Sequence, residues 1–170
     1  MGSQSVEKTS GMGEEIDDFS SLCTAIGFVV VNWALAEQSL DFTVETIYSK
    51  CAGNIIEKQL PRSFQRKVKF LRKAFSTSVA LHVYAKDGNK HLDRMEPLAQ
   101  QQHDLVHGVV VSIESVNGRF PIDKLDYKAQ EHIMRRIEFD PKAYDSLVQE
   151  LLNLGKDLTL FGSTLVQRFQ

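Results

Sequence analysis

Two histidines stand four residues apart in the run Gln102-His103-Asp104-Leu105-Val106-His107-Gly108. On a helix, side chains at i and i+4 share a face, so both imidazoles could meet one substrate. Histidine changes charge near neutral pH, which suits it to moving protons. A second cluster is basic. From Lys58 to Lys73 there are seven Lys and Arg residues and no Asp or Glu. Arg62, Arg66, Lys69 and Lys73 recur at intervals of three and four, one stripe of a helix. Such a stripe is either an ordinary solvated face or a surface that tracks a phosphate backbone. The third feature is Glu37, an acid on an apolar seam. A lone buried carboxylate is costly, so a cation or histidine should face it. Lys67, Arg66, His103 and His107 are the candidates, and Glu37 with Lys67 is expected as a buried pair that sets helix register.

Metal chemistry is a rival use of the histidines. His103 and His107 have the spacing of two ligands on one helix face, with Glu37 as a third. The run lacks the Glu of H-E-x-x-H, so no metal is expected. No Walker run, G-x-G-x-x-G, serine elbow or catalytic cysteine arrangement is present. No nucleotide or other cofactor is expected.

The elements that must place these residues follow from periodicity. Residues 1–13 are Gly- and Ser-rich and read as a disordered tail. From Glu14 to about Cys51, Ile16, Phe19, Cys23, Ile26, Val30, Trp33, Leu40, Val44 and Ile47 step by three and four, an amphipathic helix. Glu14, Glu15, Asp17 and Asp18 crowd its first turns, where acids are favoured. A second helix starts near Pro61, with Phe64, Val68, Leu71 and Phe75 as its apolar stripe. Asp87-Gly88-Asn89 reads as a linker before a third helix from about His91 to His107, which carries Leu92, Met95, Ala99 and Val106. Pro97 kinks that helix or marks its first turn, and Gly108 reads as its C′ residue.

The period then changes to two. Val109, Val111 and Ile113 alternate with Val110, Ser112 and Glu114, and Asn117-Gly118 signals a hairpin. Arg119 to Leu125 is the return strand, with Pro121 confining it to an edge. Ile133, Arg135, Ile137 and Phe139 suggest a third strand. Asp140 and Pro141 open the last helix, whose Tyr144, Leu147, Leu151, Leu154, Leu158, Phe161 and Leu165 form a continuous seam. The expected fold is mainly α: an up-and-down four-helix bundle over 14–170 with a small antiparallel insertion at about 109–139.

Composition narrows the class. The 170 residues suit one domain, and 42% hydrophobic with 25% charged residues is ordinary for a globular chain. A net charge of −2 excludes a globally basic nucleic-acid binder but not a local basic patch. Cys23 and Cys51 lie about 40 Å apart on one helix, too far to bridge, and read as free thiols. The start of the chain lacks a signal-peptide pattern, and the longest apolar run, near Ala25–Val31, is short of a membrane span. A soluble cytoplasmic protein is expected.

The Gln102–Gly108 run resembles the R-N-x-x-x-H-G signature of HEPN-domain proteins, helical bundles with that motif late in the third helix. Trp33-x-x-x-Glu37 and Pro61-Arg62-Ser63-Phe64-x-x-Lys67 are similar to a bacterial HEPN-like branch. The resemblance covers the layout of roughly residues 20–165 and about a dozen positions in its motifs. It implies a homodimer whose motif residues meet at the interface. It also implies a metal-independent ribonuclease, in which the His moves protons and the Arg steadies the phosphate. Carried over by position, the signature His is His107, the polar position is His103, and the Arg position holds Gln102, which is uncharged. Arg94 is too far along the helix to stand in. The resemblance with this departure implies a non-catalytic module that binds RNA or a protein in a bacterial defence or toxin–antitoxin-like setting. The alternatives are an active ribonuclease using His107 and His103, and a metal-binding bundle.

Overall fold

The structure, a computed structural model, describes residues 10–112, 115–128 and 131–170. The chain is mainly helical, with a small antiparallel sheet before the last helix. The elements are α1 (Ser10–Lys50), α2 (Gly53–Ile56), α3 (Phe64–Thr77), a 3₁₀ segment (Val79–Tyr84), α4 (Ala85–His107), β1 (Val109–Val110), β2 (Phe120–Lys128), β3 (Glu131–Phe139) and α5 (Pro141–Phe169). Two compact units share these elements. The first comprises residues up to Val30 and Gln101–Leu147; the second comprises Val31–Gln100 and Val148–Gln170.

In the second unit the core is helical. Trp33, Ala36, Leu40, Val44 and Ile47 of α1 are buried, as are Val68, Leu71, Ala74 and Phe75 of α3, Leu92, Met95 and Leu98 of α4, and Leu151, Leu154, Leu158 and Leu165 of α5. Side-chain pairs set the helix directions. Gly155 lies against Ala36, Ser39 Oγ meets Thr159 Oγ1 at 2.8 Å, and Gly162 lies against Thr43, so α1 and α5 run parallel. Arg72 reaches Glu96 at 2.6 Å and Asp93 at 2.7 Å while Phe75 packs at Gly88, so α3 and α4 are antiparallel. Arg94 holds Asp157 at 2.6 Å while Gly88 and His91 meet Phe161, so α4 and α5 are antiparallel too. The helices therefore do not alternate strictly up and down as expected: the first and last point the same way.

The first unit holds the sheet, in strand order β1-β2-β3, with both pairings antiparallel. Phe120, Ile122 and Phe139 are buried on its inner face. Asn117 and Gly118 have φ of 55° and 72°, the left-handed pair that a type I′ turn requires, between the bridged Val116 and Arg119. The expected alternation at Ile113 and Glu114 lies outside the described residues.

Several expectations are corrected. Residues 10–13 are helical, so the expected tail is not disordered throughout; 1–9 lie outside the described residues. The buried stripe in the first half of α1 is Leu22, Ala25 and Val29, while Cys23 and Val30 are exposed, a shift of one position. Ala25–Val31 is apolar all round, so spacing there does not select a face; the Ile16 side chain lies outside the described ones. Asp87-Gly88-Asn89 is no linker: α4 runs through it. A Cβ at Gly88 would lie 2.5 Å from the Phe75 ring, so close packing and not a turn calls for glycine. Likewise Gly108 has no positive φ; a side chain there would run into Ile122. Pro121 stands in the central strand, not at an edge. The register puts Val111 opposite it, one residue past the end of β1, where its missing N–H is not needed, and its carbonyl accepts from Val111 N at 3.2 Å.

Cys23 and Cys51 are free thiols. Phe19–Lys50 of α1 is long and apolar enough, by length and composition, to cross a membrane, and a third of its most apolar window is buried.

Candidate functional site

The helical unit brings Glu37 and Lys67 together. Lys67 Nζ donates to Glu37 Oε1 at 3.2 Å and to Asp41 at 2.5 Å, and Trp33 Nε1 donates to Glu37 Oε2 at 3.1 Å. Trp33, Glu37 and Asp41 are spaced i, i+4, i+8 on α1, and Phe64 packs edge-on against Trp33. The Lys67 side chain is 6% exposed, but Glu37 is 34% exposed, so the acid is not enclosed as its seam position suggests. Burial pulls the Lys67 ammonium down, but hydrogen bonds from it to Asp41 and Glu37 outweigh that and hold it above the usual lysine range. Across α3, Arg62, Arg66, Lys69 and Lys73 are all exposed. Arg66 pairs with Glu57, and Lys73 donates to the Ile56 carbonyl at 3.4 Å.

The histidines belong to the sheet unit. There α4 ends against β2, and Gly108 allows the close approach. The rings of His103 and His107 are 4.5 Å apart at one side of an open cleft of about 820 Å³, whose lining includes Val109, Leu125, Tyr127 and Met134. Beneath them lies a network that sequence spacing did not reveal. Strand alternation turns Lys124 inward after Phe120 and Ile122, and its side chain is 4% exposed. Its Nζ reaches Asp104 Oδ1 at 2.5 Å and His103 Nδ1 at 2.6 Å. The cross-strand neighbour of Lys124 is Arg135, a like charge. Asp104 reconciles them: Arg135 Nη1 and Nη2 donate to it at 3.0 and 2.8 Å, and Arg135 Nε donates to Asp126 at 2.9 Å.

The protonation states follow. An ammonium can only donate, so His103 Nδ1 accepts and the neutral ring carries its proton on Nε2. Burial, the Lys124 charge and His107 all push the His103 pKa down, which keeps it neutral. Arg135 holds Asp126 below the usual carboxylate range, and Asp104 and Asp126 in turn raise the Arg135 pKa. Two cations thus face two carboxylates, and little positive potential remains for a phosphate. Gln102, half-buried, adds no charge.

Arg94 is held by Glu150 and Asp157 in the other unit. Among the described residues no group of three or more His, Cys, Asp or Glu side chains could hold a metal ion, and Glu37 is engaged by Lys67 and Trp33. The expected site residues therefore fall into two places: Glu37, Lys67 and the basic stripe in one unit, Gln102, His103 and His107 in the other. The chain matches no family model, no curated protein and no solved structure.

Proposed function

We propose that the chain is a HEPN-like, bundle-type cytoplasmic protein that binds single-stranded RNA on the basic face of α3 and does not cut it. The observation that carries the reading is the contrast between two groups of cations. Arg62, just before α3, and Lys69 and Lys73 on it stand exposed with no ion-pair partner among the described residues, on a helix whose sequence holds no acid, and of this stripe Arg66 alone pairs with an acid, Glu57; Lys124 and Arg135, beside the histidines, are instead neutralised by Asp104 and Asp126. A phosphate backbone is attracted to uncompensated charge, and a developing phosphorane needs it at the reacting centre. The four long helices and the position of the histidine run late in α4 are in keeping with the HEPN-like layout; the parallel α1 and α5 depart from strict alternation.

The test is binding of a fluorescent single-stranded RNA across a salt series, with cleavage followed on a gel. Affinity should fall linearly with salt on log–log axes, and each basic residue removed from the stripe should flatten the slope by about one unit. Arg62→Glu with Lys69→Glu should abolish binding, and His107→Ala should leave it intact. No cleavage is expected from the wild type, and Gln102→Arg should raise it only if the scaffold is otherwise competent. His107-dependent cleavage by the wild type would replace this reading with the ribonuclease one. No RNA binding at low salt would leave a solvated helix face and favour a protein-binding module.

A further inference from the structure

In the sheet unit, β1 covers only part of β2. The register pairs Val109 with Asp123 and Val110 with Ile122, and Val111 N donates to the Pro121 carbonyl at 3.2 Å. In an antiparallel ladder every second residue turns its N–H and C=O toward the same neighbour. Pro121 and Asp123 face β1, so Leu125 and Tyr127 face the same way, past the end of β1, where the chain has already turned into α4. Among the described residues no strand pairs with this side of either. An uncovered strand edge is a template for another extended chain. Here it opens into the cleft of about 820 Å³ that the histidines border.

The two sides of that edge differ in chemistry. The sheet face turned away from Phe120 and Ile122 carries Leu125, Tyr127 and Met134, which are 41%, 72% and 63% exposed. On the other side stand His103 and His107 of α4, both exposed. Asp123 is held by Arg136 and Lys124 by Asp104, which leaves the two imidazoles to meet a ligand's charge. Lys124 occupies His103 Nδ1, so the donor that His103 offers is Nε2–H, and it calls for an acceptor.

We propose that an extended peptide segment of a protein partner adds to β2 at this edge, antiparallel to it and in line with β1, with an acidic residue between two apolar ones. The apolar residues lie opposite Leu125 and Tyr127 and exchange both main-chain hydrogen bonds with each. Their side chains cover the face that Met134 shares. The residue between them lies opposite Asp126, on the histidine side, and its carboxylate accepts from His103 Nε2. Main-chain pairing supplies affinity, and the alternation of side chains supplies selectivity. The basic stripe of α3 takes no part, so the inference does not depend on RNA binding.

The probe is a fluorescent, end-capped peptide, Thr-Val-Glu-Val-Thr, titrated with the full chain. N-methylation of either valine removes an N–H aimed at β2 and should weaken binding about tenfold or more. N-methylation of the glutamate, whose N–H faces away from β2, should change it less than about twofold. The peptide should slow hydrogen exchange at the Leu125 and Tyr127 amides. Lys124, Asp104, Asp123, Asp126 and Arg135 surround the imidazoles, and residues of these types do not ordinarily titrate between pH 8 and 6. A carboxylate favours imidazolium, so affinity should rise about three- to tenfold from pH 8 to pH 6. Replacing the peptide's glutamate with glutamine should remove that rise, as should His103→Gln with His107→Gln. His132→Gln, beside Tyr127 on the outer face, should leave it. Absence of binding up to about 1 mM overturns the proposal. So does binding that is indifferent to which amide is methylated. Protection of Leu125 and Tyr127 that grows with protein concentration alone would make the occupant a second copy, and protection by single-stranded RNA would make it a nucleic acid; either result also overturns the proposal.

Discussion

Lys67 among the helices and Lys124 beneath the sheet each bring a buried ammonium to carboxylates, but the surroundings differ. Lys67 is clasped by Glu37 and Asp41, two acids one turn apart on a single helix, both reached by water. Either acid can serve if the other is lost. Lys124 and Arg135 draw on the same two acids: Asp104, only 13% exposed, meets them at 2.5 and 2.8 Å, whereas Asp126 meets Arg135 at 2.9 Å and Lys124 only at 3.6 Å. A carboxylate in the last turn of a helix is itself disfavoured by the nearby carbonyls, which makes the cations necessary to it as well. The first arrangement gives one cation two acids; the second makes two cations depend mainly on one, Asp104.

The largest expected effect lies in the dependent network. Asp104→Asn removes the charge common to Lys124 and Arg135 and should cost about 3 kcal/mol in urea unfolding. Lys67→Met should cost less, about 1–2 kcal/mol, because Glu37 and Asp41 regain water when released. Glu37→Ala should cost only about 1 kcal/mol, since Asp41 still holds Lys67. From its seam position alone, a fully buried pair would have implied about 3–5 kcal/mol; a measured loss that large would show that the two clusters are alike after all.

The smallest effects are in pH, and they have opposite signs. His103 has its pKa lowered in the fold, by burial first and then by Lys124 and His107. Its contribution is therefore present above the unfolded value of about 6.5 and lost as pH falls through that value toward the folded one. His91, pushed down by burial, adds to the same loss. The melting temperature should drop between pH 7 and 5, and by less in His103→Gln. Lys67 has its pKa raised, so its contribution is complete below about 10.4 and lost only as pH rises past the raised value. Lys67→Met should accordingly flatten the alkaline limb and leave the acid limb unchanged.

How much of this was legible depended on whether one face of each element is chemically distinct. The α5 seam reads directly, because its leucines recur at three and four among polar residues, and Leu151, Leu154, Leu158 and Leu165 are buried. Glu37 and Lys67 were legible as partners because each is a charge on an apolar stripe. Asp41 carried the same signal, one turn on, but reads as an ordinary surface acid. The Asp104 network was not legible, since a helix end and two strands supply it and no spacing links residues 104, 124 and 135. The available hint was Lys124 following Phe120 and Ile122 at period two. Gly88 misled because glycine serves turns and tight packing equally, and only the Phe75 ring distinguishes them.

The pairing of the first long helix with the last has a consequence during synthesis. Ser39 waits for Thr159, 120 residues later. At about 5–20 residues per second, the side of α1 that meets α5 stays uncovered for on the order of ten seconds. Over that interval the segment Phe19–Lys50 is an apolar helix without its eventual neighbour, so the nascent chain should be a substrate for chaperones that hold hydrophobic helices. Because contacts so distant in sequence form late, refolding from denaturant should be slower than in helical proteins of this size built from local hairpins.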